Sequence, residues 1–430
     1  MSPPLKSGLP TLLIQFLKLS FQFLSLIIIS RFLTPTQVGI FSLAAIFVAG
    51  LEIVRDLGFK NALFAEKTLS EDELNKIFWV SALSSGLLFI LTLIVSTLIS
   101  LLIPNSNLLQ YVSVLSICIF ISGLQSTSSI ALAKSERFFI LNMTDLFAQF
   151  LGGSVGIVMA LNNFGVISLL AQYLLSTFAL AISRFALCHW KPGRIKFELM
   201  PKTFYLKATN IFLSKFSIWL SNNVDNLVVP IRFLTSDVGT YMRAFSLTMV
   251  PQQALLESIE SWALPTLKNR MKGSGDLFKN IEQIQILLIA IILPANLILF
   301  SSSSFLVNLL LGENWSSLIP LIQLFALAGP LYLFNHLNRL IYILLDETST
   351  LRNVTISSRI ISIILVIMAS SISLSAIAFS YTVSGAISWI AYMRFASRKL
   401  KSEGMNFFRV QVISLALFIF FISVIWWMKK

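Results

Sequence analysis

The sequence has few charged residues, cysteines and histidines for its length. Of its 430 residues only 12% are charged, whereas 56% are hydrophobic. A water-soluble chain needs roughly a quarter of its residues charged to cover its surface, so this composition places most of the chain in lipid. The composition excludes soluble enzymes, nucleic-acid-binding proteins and disordered scaffolds.

Sequence motifs for common chemistry are also missing. Cys118 and Cys188 lie in apolar runs, too far apart for a CxxC metal site or a disulfide framework. His189 and His336 are too distant in sequence to indicate a metal site, and no G-x-x-x-x-G-K-[ST] motif for nucleotide phosphates occurs. The polar segments between the apolar runs are too short for a catalytic domain. We therefore expect no cofactor, no metal and no enzymatic activity.

Long apolar runs make up most of the chain. A run of about 20 residues can cross a bilayer core of about 30 Å as a helix. These runs are continuous rather than alternating, which indicates helices and not barrel strands. The thirteen expected spans cover approximately residues 9–31, 38–59, 77–103, 108–133, 138–161, 164–189, 205–231, 238–263, 281–311, 316–345, 353–371, 373–393 and 410–428. The fold class predicted is an all-α polytopic membrane protein.

The basic residues indicate how the chain is oriented. If the N-terminus is cytoplasmic, the inside segments hold 21 Lys and Arg residues and the outside segments hold four. Inside loops of membrane proteins carry this excess of positive charge. We therefore expect a cytoplasmic N-terminus, and most of the net charge of +13 follows from topology.

A short motif recurs about 200 residues apart. Arg31-Phe-Leu-Thr-Pro-Thr-Gln-Val-Gly39 joins the first two spans, and Arg232-Phe-Leu-Thr-Ser-Asp-Val-Gly239 joins the seventh and eighth. Six spans separate the copies, and an even number preserves orientation, which predicts two six-helix lobes related by a pseudo-twofold axis along the membrane normal. The lobes would comprise residues 1–200 and 201–397, with an additional helix in 398–430. Chance similarity of two hairpins is the alternative.

Seven basic residues are expected inside the spans. A charged side chain at a helix centre costs about 2.5–3.5 kcal/mol, so it should face a water-filled cavity or an opposite charge. Arg184 could simply snorkel to the inner surface. A cationic chamber implies an anionic cargo, for which phosphate or diphosphate is the natural chemistry. The residues assigned to a substrate-binding cavity between the lobes are Lys18, Lys215, Arg339, Arg55 and Arg359.

Acidic and amide residues in the spans indicate a second, polar network. Its candidate members are Asp225, Glu52, Glu257, Asn222 and Asn223. Asp225 could bind a coupling cation or a proton, or it could pair with Arg243 or satisfy packed helices.

Some of these residues also have plain structural explanations. Glu52 could form an intrahelical pair with Arg55. Glu257 and Glu260 share a helix face, and like charges there favour either a raised carboxyl pKa or a basic partner such as Lys215. Gly152 and Gly156 have the spacing that lets two helices approach closely, so we expect them to serve packing.

Several motifs, in this order and spacing, resemble a known family. They are Arg31-Phe-Leu-Thr-Pro-Thr-Gln-Val-Gly-Ile-Phe41, Asp56-Leu-Gly-Phe-Lys-Asn-Ala62, Ser70-Glu-Asp-Glu-Leu-Asn75, Ser221-Asn-Asn-Val-Asp225-Asn226, Val238-Gly-Thr-Tyr241 and Gly312-Glu-Asn-Trp315. The chain resembles the polysaccharide transporters, the Wzx-like O-antigen and exopolysaccharide flippases of the multidrug/oligosaccharidyl-lipid/polysaccharide (MOP) flippase superfamily. The resemblance implies a MATE-like bundle of twelve helices plus one or two C-terminal helices in the bacterial inner membrane.

The resemblance also implies a function. Members move lipid-linked oligosaccharides across the inner membrane, so the expected partners are a polyprenyl-diphosphate-linked oligosaccharide and membrane lipids, together with a polysaccharide polymerase and a chain-length regulator. Gln22, Asn222 and Asn223 would contact the sugars. The alternatives are a cation-coupled multidrug exporter of the same superfamily and a membrane-embedded subunit of a polysaccharide assembly complex.

Overall fold

A computed structural model describes the backbone of residues 3–56, 70–102, 107–194, 202–271, 277–345, 347–399 and 402–428. Within these ranges the chain forms fifteen α-helices and one 3-10 helix, and no strand occurs among them. The helices are α1 Pro3–Phe32, α2 Pro35–Asp56, α3 Glu71–Leu102, α4 Asn107–Lys134, α5 Phe138–Leu161, α6 Val166–Leu187, α7 Lys202–Asn222, α8 Val224–Arg232, α9 Thr235–Met271, α10 Leu277–Ser301, α11 Ser303–Leu310, α12 Ile319–Leu344, α13 Thr348–Ser370, α14 Leu374–Lys399 and α15 Ser402–Met428, and the 3-10 helix Glu313–Leu318 precedes α12. The prediction of an all-α polytopic membrane protein is confirmed.

Eleven helical segments in the described part of the chain are long and apolar enough to cross a membrane. Two of the thirteen expected spans, 205–231 and 238–263, have no counterpart among them. The first is divided into α7 and α8 at Asn223, and α8 has only nine residues. The second lies in α9, a helix of 37 residues whose polar side chains lower its mean hydropathy.

The chain forms two compact units, Met1–Asn223 and Val224–Lys430. The first unit therefore contains α1 to α7, and the second contains α8 to α15. In the first unit α7 contacts α2. The lobe limits expected from the repeat, near residue 200, stay a prediction.

The first unit contains a close helix pair, α5 against α6. A Cβ atom added at Gly152 would lie 2.5 Å from the carbonyl oxygen of Gln172 and 2.8 Å from the backbone nitrogen of Ser176. At Gly156 it would lie 2.9 Å from Cβ of Gln172. The packing role predicted for these two glycines is confirmed, since a larger residue would push the helices apart.

The second unit is built around α12, which packs against α9, α10 and α14. The predicted additional C-terminal helix is α15, and it packs on α10. A buried amide cluster holds α15 in place, because Gln411 Nε2 donates to Asn338 Oδ1 at 3.1 Å and Gln285 Nε2 donates to the Phe407 carbonyl at 3.1 Å. In the described part of the chain α15 is therefore an integral part of this unit.

The two copies of the repeated motif form the same kind of hairpin. Each copy joins two helices through a break of two residues, 33–34 between α1 and α2 and 233–234 between α8 and α9. Gln37 Oε1 accepts a hydrogen bond from the Thr34 backbone nitrogen at 2.9 Å, and Asp237 Oδ2 accepts one from Leu234 at 3.3 Å. In both hairpins, therefore, the side chain of the third residue of the second helix caps the N-terminus of that helix.

Candidate functional site

Lys18 belongs to a charged cluster in the first unit. Its Nζ lies 3.9 Å from Asp145 Oδ2, and Arg184 Nη2 lies 2.6 Å from the other oxygen of the same carboxylate. Arg184 Nη1 also donates to Ser129 Oγ at 2.9 Å. The expectation that Arg184 snorkels to the surface is wrong, because its side chain is only 12% exposed and is held by α4 and α5. One carboxylate thus faces two cations, which leaves the cluster with net positive charge.

Lys215 forms a separate ion pair in the same unit. Its Nζ lies 3.1 Å from Oδ2 of Asp56, the last residue of α2. This contact forms because α7 packs on α2 and brings Lys215 to that helix end. Glu260, for which Lys215 was one possible basic partner, pairs with Arg339 in the second unit. The Lys215 side chain remains 37% exposed.

Arg55 and Glu52 interact through a third residue. Arg55 Nη1 donates to Ser122 Oγ at 2.7 Å, and that hydroxyl donates to Glu52 Oε1 at 3.1 Å. The serine lies on α4, so this bridge ties the last turn of α2 to its neighbour. It takes the place of the direct intrahelical pair that the spacing favours.

Arg339 lies in a charged cluster of the second unit. It is five residues, about 7.5 Å, from the C-terminal end of α12. It therefore lies closer to the end of its helix than its position in the long apolar run 316–345 suggested. Its Nη2 hydrogen-bonds Glu260 of α9. His336 Nε2 lies 2.8 Å from the same carboxylate oxygen, close enough for an ionic contact although not aligned for a hydrogen bond.

Arg359 and Glu257 lie near this cluster. Arg359 of α13 is within electrostatic range of Arg339 and of the Tyr332 and Tyr392 hydroxyls. Glu257 is exposed one turn before Glu260 on α9. Glu257 therefore makes no ion pair among the described side chains, and its part in a polar network stays a prediction.

Asp225 is a buried carboxylate near the α8–α9 hairpin. It is 2% exposed, and its Oδ2 accepts hydrogen bonds from the hydroxyls of Tyr241 and Tyr381, each at 2.7 Å. In the described part of the chain its side chain forms no ion pair with Arg243, so that alternative is wrong. Phe325 packs edge-on against both tyrosine rings, which encloses the carboxylate in aromatic side chains.

The two asparagines before Asp225 mark the end of α7. Asn222 is the last residue of that helix and is exposed. Asn223 breaks the helix, and its Nδ2 donates back to the Trp219 carbonyl at 2.9 Å. Polar backbone at a break between two helices is a common setting for ion and substrate binding in transporters.

The sequence did not identify several members of these clusters. Asp145, Arg184, His336 and Tyr381 contact residues of helices at least 39 positions away in sequence. Their sequence signal was an ionisable or phenolic residue within an apolar run, whereas Tyr241 stood in a quoted motif, although its hydrogen bond to Asp225 was not predicted.

Comparison with known proteins identifies relatives that act in polysaccharide biosynthesis. Residues 28–320 match a family model described as "Polysaccharide biosynthesis protein". An uncharacterized membrane protein in the cps region of Klebsiella pneumoniae is 25% identical over 317 residues, covering 71% of this chain and 64% of that protein. The lipopolysaccharide biosynthesis protein WzxC of Escherichia coli (strain K12) is 24% identical, covering 70% and 62%. The succinoglycan biosynthesis transport protein ExoT of Rhizobium meliloti (strain 1021) is 25% identical, covering 71% and 62%. The matched part thus spans less than two thirds of each relative.

Solved structures with a similar fold cover nearly the whole chain. The lipid II flippase MurJ in an inward closed conformation superposes with a TM-score of 0.72 at 12% identity, covering 97% of this chain and 99% of that one. An outward-facing multidrug resistance MATE family transporter of the MOP superfamily has a TM-score of 0.58 at 13% identity, covering 94% and 97%. These similarities establish a MOP-type transporter fold.

Proposed function

Because the chain belongs to the polysaccharide biosynthesis protein family, we propose that it is a flippase for a polyprenyl-diphosphate-linked oligosaccharide. It would carry the cargo from the cytoplasmic to the outer leaflet of the inner membrane by alternating access, for polysaccharide or O-antigen export. The names of WzxC and ExoT support export of this kind. Transport, rather than catalysis, is the activity proposed.

The physical task is to move a sugar head group and its diphosphate through about 30 Å of hydrocarbon. The polyprenyl tail can remain in lipid, but the diphosphate needs cations and water along its path. Guanidinium and ammonium groups supply charge-assisted hydrogen bonds to phosphate. A protein with this task therefore needs basic side chains within its helices that stay accessible.

The observation that carries the proposal is a set of three basic side chains with this property. Lys18, Lys215 and Arg339 each lie within 4 Å of a carboxylate and are 27%, 37% and 40% exposed. The carboxylate offsets the cost of the charge while no cargo is present. The exposed fraction leaves room for a phosphate oxygen to take over as the ionic partner.

The positions of these groups support capture from the cytoplasmic side, with the N-terminus inside. Asp56 ends α2, and Arg55 precedes it in the last turn. Arg184 lies three residues from the end of α6, and Arg339 lies five from the end of α12. All of these helix ends are cytoplasmic in the orientation favoured by the basic loops.

We assign the remaining predicted residues supporting roles. Arg359 would add positive potential near Arg339, while the exposed Gln22 and Asn222, with Asn223, would bind sugar hydroxyls. Asp225, buried apart from the basic groups, would be the coupling group that takes up a proton or a cation. A polysaccharide polymerase and a chain-length regulator would act on the exported product.

Flipping of a labelled lipid-linked oligosaccharide in proteoliposomes tests the proposal. The double variant Lys18→Gln/Lys215→Gln should flip the lipid at least about tenfold more slowly, because two charge-assisted contacts to the diphosphate are lost. Arg232→Gln, at an exposed arginine in the α8–α9 hairpin, is the matched control and should retain the full rate. A double variant that flips at the control rate would refute the role of the basic groups.

A cation-coupled drug exporter is the second candidate. It is favoured by the three partner carboxylates, Asp145, Asp56 and Glu260, since the same sites could bind a cationic drug once the basic partner moves away. In that case the lysine double variant would bind cationic drugs more tightly. Drug resistance that rises in cells carrying this variant would favour the exporter over the flippase.

A further inference from the structure

Arg243 is a buried arginine without an acidic partner. It lies eight residues, about 12 Å, into α9 and is 7% exposed. Its Nε is buried and has no hydrogen-bond partner, and among the described side chains no carboxylate forms an ion pair with the guanidinium. The acids of the second unit that carry no described side chain, Asp276, Asp346 and Glu403, belong to the expected cytoplasmic loops.

This arrangement is unusual because arginine keeps its charge in proteins. A buried charge is normally offset by an opposite charge and by hydrogen bonds that satisfy its donors. Arg184, whose Nε is also buried without a hydrogen bond, differs from Arg243 in its Nη groups, which contact Asp145, Ser129 and Gln125. The missing protein partner at Arg243 therefore points to a ligand that supplies the negative charge.

The surroundings of Arg243 are suited to one kind of anion. Its guanidinium carbon lies 6.0 Å from the ring centre of Trp315, which is fully buried on the 3-10 helix. An aromatic ring near a guanidinium group restrains the orientation of that group. The N–H groups at the guanidinium edge can then donate to an anion. A guanidinium edge matches two oxygens of a phosphate.

Two hydroxyl groups lie on the two elements that carry this pair, α9 and the 3-10 helix. Thr240 precedes Arg243 by three residues, which places both on one face of α9. Its hydroxyl donates to the Ser236 carbonyl at 2.9 Å, a bond that it would exchange for one to a phosphate oxygen. Thr240 Oγ1 also lies 3.4 Å from Oγ of the exposed Ser317, two residues after Trp315. Glu313, the acid of the 3-10 helix, is exposed and makes no ion pair with Arg243 among the described side chains. Ser317 is thus an exposed hydroxyl on the element that carries Trp315, and Thr240 links it to the helix of Arg243.

We propose that Arg243, Thr240 and Ser317 form a phosphate-binding site next to Trp315 in the second unit. The ligand is a phosphate group, carried either by free inorganic phosphate or by an anionic phospholipid head group. The site shares no residue with the basic cluster around Arg339 in the same unit. It does not depend on the flippase proposal, because binding is measured without transport.

The first experiment measures thermal unfolding of the purified, delipidated protein in detergent. Inorganic phosphate is titrated against gluconate at matched ionic strength. Phosphate should raise the melting temperature of the wild type and of the control Arg232→Gln to a plateau. In Arg243→Gln the apparent affinity should fall at least about tenfold, since the charged donors are lost.

The second experiment identifies the source of the phosphate. The wild type is placed in nanodiscs of phosphatidylcholine, with or without phosphatidylglycerol, in phosphate-free buffer. A phospholipid ligand predicts that phosphatidylglycerol raises the melting temperature and abolishes the response to added phosphate. Free phosphate as the ligand predicts the same response in both kinds of nanodisc. Wild-type protein that responds to neither phosphate nor phosphatidylglycerol overturns the proposal.

Ser317→Ala makes the test independent of the folding of Arg243→Gln, because an exposed serine can be replaced without disturbing the core. Its melting temperature without phosphate should equal that of the wild type, and its affinity for phosphate should be several-fold weaker. If Arg243→Gln does not fold, Arg243→Lys takes its place, where the planar donor edge is lost and affinity should also fall. Unchanged affinity in both folded variants overturns the proposal.

Discussion

The two hairpins of the repeated motif carry different residues at equivalent positions. Ser25 lies seven residues before the last residue of α1, and Asp225 lies seven before the last residue of α8. Both side chains are buried. Ser25 Oγ donates to the Gln22 carbonyl of its own helix at 3.0 Å, whereas Asp225 accepts its hydrogen bonds from two other helices.

The aromatic residues at matching helix positions of the two units also differ in whether they bind a carboxylate. Phe41 and Tyr241 each lie six residues after the first residue of α2 and α9, and Tyr173 and Tyr381 each lie seven after the first residue of α6 and α14. In the first unit the two rings make an edge contact at 6.4 Å. In the second unit both tyrosines donate to a carboxylate.

From this comparison we infer that the two units have different roles in the proposed transport. The first unit combines a plain aromatic hairpin with basic clusters near the opposite helix ends, where a diphosphate could bind. The second unit has its own basic cluster at Arg339 and, at the hairpin, a buried ionisable group. We therefore assign coupling to the second unit, and changes at Asp225 should have much larger effects than changes at Ser25.

The largest effect is expected for Asp225→Asn. The amide is permanently neutral, so a coupling group could no longer change charge or hold a cation, and flipping in proteoliposomes should fall at least about tenfold. The matched variant Ser25→Ala removes only a local hydrogen bond and should remain within roughly twofold of the wild type. If Asp225→Asn is folded and flips normally, or if Ser25→Ala is equally impaired, the units do not differ in this way.

A second difference between the units is how closely a pair of helices packs. In the first unit Gly152 lets α5 approach α6, whereas α13, the corresponding helix of the second unit, contains no glycine and has Ser362 at the same distance from its start. Gly152→Ala should lower the free energy of unfolding by about 1–3 kcal/mol, because its Cβ would meet backbone atoms of α6.

The control for this prediction is Gly86→Ala in α3. A Cβ there would meet only the Phe120 ring at 3.7 Å, an ordinary contact, so the change should be neutral or slightly stabilising. Denaturation followed by tryptophan fluorescence measures both variants. Equal stability of the two alanine variants would show that α5 and α6 can separate at no cost.

The sequence predicted the helices well because length and hydropathy determine which segments can enter a bilayer. It predicted which residues would be charged in the interior, but not their partners. Lys215 pairs with Asp56, and Glu260 pairs with Arg339, since partner choice depends on which helices pack together. The same limit explains why Asp145, the shared partner of Lys18 and Arg184, was not singled out.

The break between α7 and α8 shows another limit. No proline or glycine marks the break, and Pro230 lies inside α8 instead. The signal present was the polar run Ser221-Asn-Asn, whose side chains can compete for backbone hydrogen bonds. Hydropathy alone places this run inside the single expected span 205–231, because the flanking residues are apolar.

The smallest effects are expected when single tyrosine hydroxyls are removed. Their loss around Asp225 is compared with the loss of the Tyr173 hydroxyl in the first unit. Tyr241→Phe and Tyr381→Phe should each lower the free energy of unfolding by about 1–2 kcal/mol, since each removes one donor to a buried carboxylate. Tyr173→Phe should change it by less than about 0.5 kcal/mol, because among the described residues no hydrogen bond reaches that hydroxyl.

The double variant Tyr241→Phe/Tyr381→Phe tests whether the two hydrogen bonds to Asp225 depend on each other. Both phenols donate to the same oxygen of Asp225, so either one alone can partly satisfy it. Removing both should therefore cost more than the sum of the single variants, by about 0.5 kcal/mol or more. In the background of Asp225→Asn the same two substitutions should cost less, because a neutral amide needs the donors less than a carboxylate does. Additive losses that are the same in both backgrounds would mean that the tyrosines only fill space, as Phe41 does in the first unit.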